Sequence, residues 1–567
     1  MPDLKKLPKA IMSASPKSGI FFIFGVFILI IIFSDYSIAA FHEQLAVDTR
    51  AIALANTVTA DPPGIMAIHY NPAGLVNLPD GKVFSLGITI PIIVKTSRFK
   101  QDPEFAGYLG GYNDDPLDGT EGTNSSGKMY LPGLNDTIDF LIAPSIGVSH
   151  HEPESRWTFA IAEYAPFAIG LKHGDANDPA RYGGKSVYQQ HLVYSAPAAG
   201  YRLTETFAIG MTVGLGQTAM GAEVDMRAPN EIVALTHVLG EATAGLEIPV
   251  LSEMTLPPPW FGGGLNPYDQ LATLELTLRD DYSPNYNFGI LWQPKQWFAF
   301  GACYQSPIKA QLTGTYSFKY SEDWQRMVQW FGSSPLLVVS AGVLDLPIEP
   351  VEEQTGTVTA EIEFPQRLQM GIKVKPFTRW SLLTDVHWAQ WSAVKDNRFT
   401  FDQNIQLLQL VKLMGYSNGS RELYLNRNMK DTWHWSVGSE LQVLDWLTLR
   451  CGYERRVASV RDNRFDLLYA LPELENYGTG FGIQMESGVN IDFAAAYLIN
   501  NSYKIDNNQS TNLNSTEFTD PVYNPYAGLD YEQETTAYIF SLKISMPTIL
   551  LSDFFKKQYK KLKGLFD

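Results

Sequence analysis

The sequence is poor in cysteine and in charge. Its only two cysteines, Cys303 and Cys451, are far apart, and no CxxC motif or Cys/His cluster accompanies them. Two cysteines cannot build a disulfide framework, and no metal site is predicted. Charged residues make up 18% of the chain, below the usual quarter, and the net charge is −17. Because an acidic chain repels phosphate backbones, we expect no nucleic-acid partner.

Motifs for enzymatic chemistry are also missing. The chain has no GxSxG, no Walker loop and no HExxH motif. Acidic pairs such as Glu352-Glu353 lie in loop-like stretches and are interpreted as solvated. The histidines at positions 69, 150 and 151 are interpreted as structural residues. We therefore expect neither enzymatic activity nor a cofactor.

Only one long apolar run is present, and it lies at the N-terminus. Residues 19–33 (GIFFIFGVFILIIIF) follow four lysines and precede the small residues of Ser37-Ile38-Ala39-Ala40. This is the layout of a secretory signal peptide, and fifteen residues are short of the roughly 20 that span a bilayer. We predict a signal peptide at 1–40, cleaved near Ala40. The exported chain is then periplasmic, secreted or an outer-membrane barrel.

What the sequence does have is alternation of apolar and polar residues, which is typical of β-strands. Between Asp431 and Val443 one face carries Trp433, Trp435, Val437, Leu441 and Val443, and the other carries polar residues. The run from Thr535 to Met546 alternates in the same way, and Lys543 is predicted to point away from the apolar face. A soluble sandwich also alternates, so this pattern alone does not decide the fold.

Connection lengths separate the two possibilities. Fourteen strands are predicted, with short turns on one side and long loops on the other, at residues 83–95, 136–149, 156–170, 187–202, 206–226, 271–292, 296–318, 356–376, 379–402, 431–443, 446–460, 473–486, 489–504 and 534–546. Sorting of loops by length is typical of outer-membrane barrels, and an even count places both chain ends in the periplasm. The sequence thus predicts an all-β fold, a fourteen-stranded antiparallel transmembrane β-barrel.

Several motifs, taken in order, resemble the FadL-type outer-membrane transporters of long-chain fatty acids and other hydrophobic compounds. They are Ala60-Asp61, His69-Tyr70-Asn71-Pro72-Ala73-Gly74-Leu75, Tyr164-Ala165-Pro166-Phe167-Ala168-Ile169-Gly170, Gly200-Tyr201-Arg202-Leu203, Phe364-Pro365-Gln366 with Trp380, Asp385, Trp391 and Ser392, and Lys430-Asp431-Thr432-Trp433. The resemblance covers roughly residues 41–546. It implies that residues 41–80 form a hatch that plugs a barrel of residues 81–546. The chain departs from the family after Met546, where the family's barrel usually ends.

Two features are candidates for gating. Asn71, Pro72 and Ala73 form a turn signature, because Asn tolerates unusual backbone angles and Pro fixes φ. Pro166 cannot donate to a strand ladder, so it indicates either a break in the wall or a strand that ends at Ala165. In the family a kink at this strand is the proposed exit, which implies a lateral opening at Pro166, Phe167 and Gly170.

The long loops contain apolar residues at helical spacing, which is unusual for the outer face of a porin. They are Ile232, Leu235, Val238 and Leu239 in one loop, and Trp324, Met327, Val328 and Phe331 in another. The two helices are predicted to pack together as a cap or to form a groove for an alkyl chain, and both can hold together, because apolar ligands are often held between packed helices. In the family, similar loops supply the first binding site.

Head-group binding is inferred from the resemblance for two cations. Lys430 lies where a family lysine contacts the ligand head group, and Arg227 lies near a family arginine of that role. A solvated loop charge is the alternative for each. The tail, residues 547–567, mixes lysines with Leu and Phe, which is typical of a basic amphipathic helix on the inner leaflet or of a docking tail.

The predicted function is passive uptake of hydrophobic compounds, long-chain fatty acids first among them, by an outer-membrane monomer in contact with lipid and lipopolysaccharide. Uptake of aromatic or alkane hydrocarbons by the same fold is the alternative, as is a general porin or adhesin. A barrel-borne lipid hydrolase is a further rival, but it needs a Ser/His/acid set that we do not find.

Overall fold

The computed structural model describes residues 47–131, 136–246, 256–412, 419–468, 473–517 and 523–551. The predicted signal peptide and most of the predicted C-terminal tail lie outside these residues. Strands dominate: β1 (Gly81–Gln101), β2 (Glu121–Ser126), β3 (Met129–Leu131), β4 (Asp136–Ile138), β5 (Ala143–His151), β6 (Trp157–His173), β7 (Ser186–Arg202), β8 (Phe207–Met226), β9 (Ala272–Lys295), β10 (Phe298–Gln305), β11 (Ile308–Tyr320), β12 (Glu353–Phe364), β13 (Arg367–Phe377), β14 (Trp380–Ala389), β15 (Asp396–Phe401), β16 (Glu422–Asn426), β17 (Thr432–Leu444), β18 (Leu447–Arg456), β19 (Leu474–Gln484), β20 (Asn490–Ile505) and β21 (Leu529–Pro547).

Helices are short and lie before the first strand or in the long loops. The α-helices are α1 (Thr49–Ala53), α2 (Ala67–Tyr70), α3 (Glu231–Thr243), α4 (Glu322–Phe331), α5 (Pro335–Leu344) and α6 (Gln406–Lys412). Turns of 3-10 helix occur at Gly64–Met66, Pro72–Asn77, Pro179–Gly183, Trp260–Gly263, Trp391–Ala393 and Asp462–Arg464. No single described helix is long and apolar enough to span a membrane; α4 and α5 together reach that length and composition, but across a bend of 104°.

The strands form one closed antiparallel barrel of fourteen strands, as predicted. Closure comes from β1 and β21, which pair from Val83↔Pro547 to Gln101↔Leu529. Nine of the fourteen barrel strands each consist of one labelled β-segment. Each of the other five consists of two β-segments, namely β2 with β5, β10 with β11, β12 with β13, β14 with β15, and β16 with β17. The break between β12 and β13 falls at Pro365, which has no backbone N–H to give to a ladder.

The strand predicted at 136–149 is wrong in its first half. Residues 136–138 form β4, which pairs with β3 in a separate two-stranded sheet. The second barrel position is instead shared by β5 near one end and by β2 near the other, where Val94↔Ser125 pairs β1 with β2. Alternation failed here because β2 (EGTNSS) is polar on both faces and reads as loop.

Alternation along the remaining strands separates a lipid-facing side from a lumen. In β17 the side chains of Trp433, Leu441 and Val443 are exposed. Those of Thr432, His434 and Ser436, on the opposite face of the strand, are buried, as predicted. Aromatic side chains form rows across neighbouring strands. Tyr453↔Tyr477, Tyr477↔Tyr497 and Tyr497↔Tyr538 are directly opposite one another, with ring centroids 5.2 Å and 5.3 Å apart in the first and last pairs. Such rows mark a membrane interface.

Candidate functional site: a plugged lumen with an outer cavity

The segment that precedes β1 is buried inside the barrel. Residues 47–78, here called the hatch, contact the lumen faces of β18 to β21 through α1 and those of β6 to β9 through the turn Pro72–Asn77. Wall residues make room for its backbone. A Cβ added to Gly210 would lie 2.2 Å from the carbonyl carbon of Pro72, and one added to Gly289 would lie 2.0 Å from Asn71 Oδ1. Glycine is therefore required where the hatch touches the wall.

Asn71 ties the predicted turn to its surroundings through its side chain. Its Oδ1 accepts from Ala73 N at 3.2 Å and caps the 3-10 turn, while Nδ2 donates to Thr59 O at 2.9 Å and to Ile290 O of β9 at 3.0 Å. Pro72 occupies the first position of that turn, which suits its fixed φ. Asn71 has φ −166°, an ordinary extended value, so its role is hydrogen bonding and not an unusual backbone angle.

Wall side chains satisfy the hatch backbone on one side of the lumen. Asp385 accepts from Val58 N at 2.9 Å and from Thr59 N at 2.7 Å. Three amides donate to successive hatch carbonyls: Asn287 to Ile68 O, Gln305 to His69 O, and Gln369 to Tyr70 O, at 2.7 to 3.0 Å. Buried backbone groups need such partners, so these contacts fix the hatch in position.

The hatch is also held by charge. Eight side chains form one chain in which each neighbour has the opposite charge, in the order Lys373, Asp61, Arg50, Glu440, Arg450, Asp492, Lys543, Asp48. Its seven links measure 2.5 to 3.5 Å. We call this set the hatch ion chain. Lys543 points inward, as predicted from alternation, and it bonds Asp48 at 2.8 Å.

The wall pairing is interrupted at Pro166. The strand does not end at Ala165: β6 continues to His173. Its pairing with β5 stops at Ser145↔Tyr164 and its pairing with β2 resumes at Ser126↔Leu171. On the β7 side, register shifts separate Ala162, Tyr164 and Phe167. Residues 165–170 therefore border a gap in the described ladder.

A short stretch of chain covers this gap. Residues 127–131, here called the cover segment, run beside β6, where Gly127 N donates to Gly170 O at 3.1 Å. Gln190 of β7 holds the cover segment with both ends of its amide: Oε1 accepts from Tyr130 N at 2.9 Å, and Nε2 donates to Tyr130 O at 2.8 Å. A Cβ on Gly170 would lie 1.6 Å from Lys128 O, so only glycine fits there.

A large cavity lies among the long loops and the upper ends of β8, β9 and β16. Its empty volume is about 1260 Å³, and we call it the outer cavity. The lining is mainly aliphatic, with a polar margin. The apolar residues include Val224, Met226, Leu271, Leu274, Leu407, Leu408, Val411, Leu423, Leu425 and Leu468, and the polar ones include Arg227, Asn230, Glu231, Ser515, Thr516, Glu517 and Asn524. An apolar cleft with a few polar groups is the usual form of a small-molecule site.

The predicted loop residues behave differently in the two helices. Trp324, Met327, Val328 and Phe331 of α4 are buried in the apolar cluster that also contains the cavity residues Leu271 and Leu407. Ile232, Leu235 and Val238 of α3 are exposed, and Leu239 is half-buried. Both helices pack on the turn Trp260–Gly263. The α4 residues thus support the cavity wall without lining it.

Neither predicted head-group cation is placed as a free charge in the outer cavity. Arg227 lines the cavity, but its guanidinium forms two bonds of 2.9 Å with Asp115 and donates to Pro525 O. Lys430 is half-buried between β16 and β17, its backbone N donates to Ser459 O, and it lines neither described cavity. Their head-group roles stay predictions.

A second, smaller cavity lies deeper in the lumen beside the hatch. Its empty volume is about 360 Å³ and most of its lining is polar, with Asn56, Arg367, Gln369, His387, His434, Glu454 and Arg456. We call it the lumen cavity. Arg367 was not predicted from the sequence, nor was the lining of the outer cavity by α6. The apolar spacing of Ile405, Leu408 and Val411 is the signal that points to α6.

Among the described residues, no cluster of His, Cys, Asp and Glu could hold a metal ion. The arrangement is a closed barrel with an internal plug, an apolar outer cavity and an interrupted wall. It defines a plugged outer-membrane channel.

The comparisons with known proteins agree with this class. The profile of the family described as outer membrane protein transport protein (OMPP1/FadL/TodX) matches residues 35–547, and the chain belongs to this family of outer-membrane transport proteins. The match is to the outer-membrane channel class and not to an enzyme family. No curated protein sequence matches the chain.

Solved structures show the same fold at low identity. A Pseudomonas aeruginosa FadL homologue is similar with a TM-score of 0.62 and 16% identity, covering 89% of this chain and 99% of that one. The P. putida toluene transporter TodX has a TM-score of 0.55 and 15% identity, covering 89% and 99%. The Ralstonia pickettii toluene transporter TbuX has a TM-score of 0.53 and 16% identity, covering 88% and 98%.

Proposed function

We propose that this protein passes hydrophobic molecules that carry an alkyl chain, long-chain fatty acids first among them, across the outer membrane without an energy source or cofactor. The observation that carries the proposal is the outer cavity. Its apolar lining is aliphatic, with Tyr523 as the single aromatic residue among those described, and its margin offers hydrogen-bonding groups. A flexible chain with a polar end matches such a site.

The route inward follows the apolar cluster below the outer cavity. That cluster joins Leu274 and Leu407 to Phe167 and Phe364 near the hatch. We infer that the ligand leaves the cavity along this cluster, reaches the hatch, and exits either past a displaced hatch or through the gap at residues 165–170. The hatch is then the plug and the gap is the lateral opening.

Uptake by whole cells tests the proposal directly. The protein is expressed in an outer membrane that lacks its own fatty-acid transporter, and entry of radiolabelled oleate and of toluene is compared. We expect oleate uptake above the empty-vector rate. Toluene uptake without oleate uptake would instead assign the protein to hydrocarbons, the alternative that the TodX and TbuX similarities favour.

Planar bilayers test the remaining alternative. We expect little ion conductance, because residues 47–78 lie inside the lumen and contact its wall. A large, open conductance that oleate does not change would identify a general porin and would contradict the proposal. Hydrolysis of an acyl ester by the purified protein would favour the enzyme alternative.

A further inference from the structure

The long loops on the outer side carry acidic residues and very few basic ones. Residues 102–127, 228–278, 327–366 and 505–542 each contain six Asp or Glu residues and no Lys or Arg. Each of these four segments includes a long connection between two barrel strands. The outer face of the protein therefore has an excess of negative charge, which repels dissolved anions.

Three of the four acidic segments meet at the outer cavity. Glu231, at the start of α3, and Glu517 both line the cavity, and both are exposed at its polar margin. Arg227 is the only Lys or Arg among the described residues that line this cavity. Asp115 of the first segment offsets its charge through two bonds of 2.9 Å. The cavity lining is thus left with a negative margin around an aliphatic interior.

The charged groups next to the cavity lining are mostly paired with groups of the opposite charge. The pairs are Arg181–Asp225 at 3.4 Å, Lys412–Asp345 at 3.1 Å and Arg398–Glu422 at 3.8 Å, while Arg421 donates to Asn404 Oδ1 at 3.1 Å and His237 of α3 lies 3.9 Å from Glu241. Within the cavity itself, Glu231 and Glu517 therefore determine the sign of the charge.

Two carboxylates at the margin of an apolar cavity discriminate between head groups. An ionised carboxylate accepts hydrogen bonds and donates none. The hydroxyl group of an alcohol or of a protonated acid can donate to it in a charge-assisted bond. A ligand carboxylate has no proton to donate, and its charge is repelled. The aliphatic interior binds the alkyl chain in each case, so the head group decides the affinity.

We propose that the outer cavity captures alkyl molecules in an uncharged form, so that a fatty acid enters as the protonated acid and not as its carboxylate. The inference rests on the proposed function, since it takes the outer cavity as the first site of an alkyl ligand. The proton comes from water, because the free acid and its carboxylate interconvert in solution. An alkyl acid titrates close to a glutamate side chain, so at neutral pH the captured form is the minor one.

The test uses two probes of equal chain length and opposite permanent charge, decyl sulfate and decyltrimethylammonium. Their equilibrium binding to the purified full-length protein is measured in an uncharged detergent. A cavity without charge preference binds both about equally, because their alkyl chains are the same. We expect wild type to bind the cation on the order of tenfold more tightly than the anion. The preference should shrink at about 1 M salt, where the Debye length is about 3 Å, because both glutamates are exposed.

The double variant Glu231→Gln/Glu517→Gln removes both margin charges and keeps the side-chain shapes. It should bring the two affinities to within about threefold of each other. Its affinity for laurate at neutral pH should rise, while its affinity for dodecanol should stay unchanged. Glu104→Gln/Glu241→Gln is the matched control, because it removes the same charge from two exposed glutamates that do not line the cavity. It should keep most of the preference for the cation.

The outcomes separate this inference from the function on which it rests. If wild type binds decyl sulfate as tightly as decyltrimethylammonium, the charge selection is overturned and the channel function stands. A preference that persists undiminished in the folded double variant, or that the control variant loses equally, overturns the role of the cavity margin. If neither charged probe nor dodecanol binds, the proposed function itself fails.

Discussion

Arg50 of the hatch donates from Nε to Glu440 Oε2 of β17 at 2.9 Å, and the same carboxylate oxygen accepts from Arg450 Nε of β18 at 2.7 Å. One wall carboxylate thus bonds both a hatch cation and a wall cation. Arg50 also contacts Asp61 of the hatch at 2.6 Å, and Asp61 in turn contacts Lys373 of β13 at 2.5 Å, so movement of the hatch would separate opposite charges at two contacts with the wall.

The first prediction concerns this pair. Glu440→Gln keeps the shape of the side chain but leaves Arg50 and Arg450 with one less counter-charge. Removing one partner of a buried ion pair costs about 3–5 kcal/mol, so we expect the hatch to detach more often. Ion conductance in planar bilayers should rise in bursts above the wild-type level, with the barrel still intact by its gel mobility before and after heating.

Arg98→Met is the control for that experiment. Arg98 also bonds two carboxylates, Glu121 and Glu534, but on exposed strand ends outside the lumen. Its loss should leave conductance unchanged. If Glu440→Gln raises the ion conductance no more than Arg98→Met does, the hatch ion chain does not hold the plug.

The second prediction removes the plug altogether. Deleting residues 41–78 should convert the protein into a leaky channel, because the wall alone encloses the lumen through the β1–β21 pairing. Antibiotic sensitivity of cells and conductance in bilayers both measure the leak. A deletion variant that folds but still excludes small polar solutes would show that the plug assignment is wrong.

The sequence predicted which wall residues face the lumen, but it did not predict which hatch residues they contact. Alternation placed Lys543 inside the lumen, because a lysine on a lipid-facing row is costly. It also put Glu440 and Arg450 on polar faces. The bonds of Lys543 to Asp48 and of Glu440 to Arg50 were not predictable, because they depend on the inter-strand register and on how the hatch folds back.

The same limit explains what was missed near Pro166. A proline within a strand indicates a break in pairing, and the break exists. The sequence did not predict that residues 127–131 cover the gap, because the polar β2 and the three-residue β3 show no periodic pattern of apolar residues. Arg367 lies within the strand predicted at 356–376, directly after Phe364-Pro365-Gln366, but nothing in the sequence places it beside Phe167.

The third prediction fills the outer cavity. Leu274→Trp and Leu408→Trp enlarge two lining side chains, so less space remains for an alkyl chain. We expect laurate affinity to fall, on the order of tenfold for a loss of about 1.4 kcal/mol of binding energy. Leu336→Trp on the exposed side of α5 is the control and should change nothing. Unchanged affinity in both cavity variants would place the first binding site elsewhere.

The fourth prediction releases the cover segment. Gln190→Ala removes both hydrogen bonds to Tyr130, each contributing about 1 kcal/mol. Amide hydrogen exchange at residues 127–131 should become faster, and ligand release should speed up if the gap is the exit. Gln189→Ala, the adjacent position in β7, is the control. Faster amide hydrogen exchange with an unchanged rate of ligand release would show that the cover segment has no role in transport.

The last prediction restores the wall at Pro166. Pro166→Val supplies a backbone N–H and a strand-favouring side chain next to the register shifts between β6 and β7. Stability should change little or rise by about 1 kcal/mol, the worth of one hydrogen bond. Laurate capture should be unchanged, because the outer cavity is not touched. Oleate uptake into cells should fall, since a paired wall closes the gap at residues 165–170. Pro197→Val is the matched control, because Pro197 lies in β7 opposite Ile161, where β5 and β6 are fully paired. If folded Pro166→Val takes up oleate at the wild-type rate, the ligand must instead leave along the barrel axis past the hatch, and the ion chain around Arg50 becomes the controlling element.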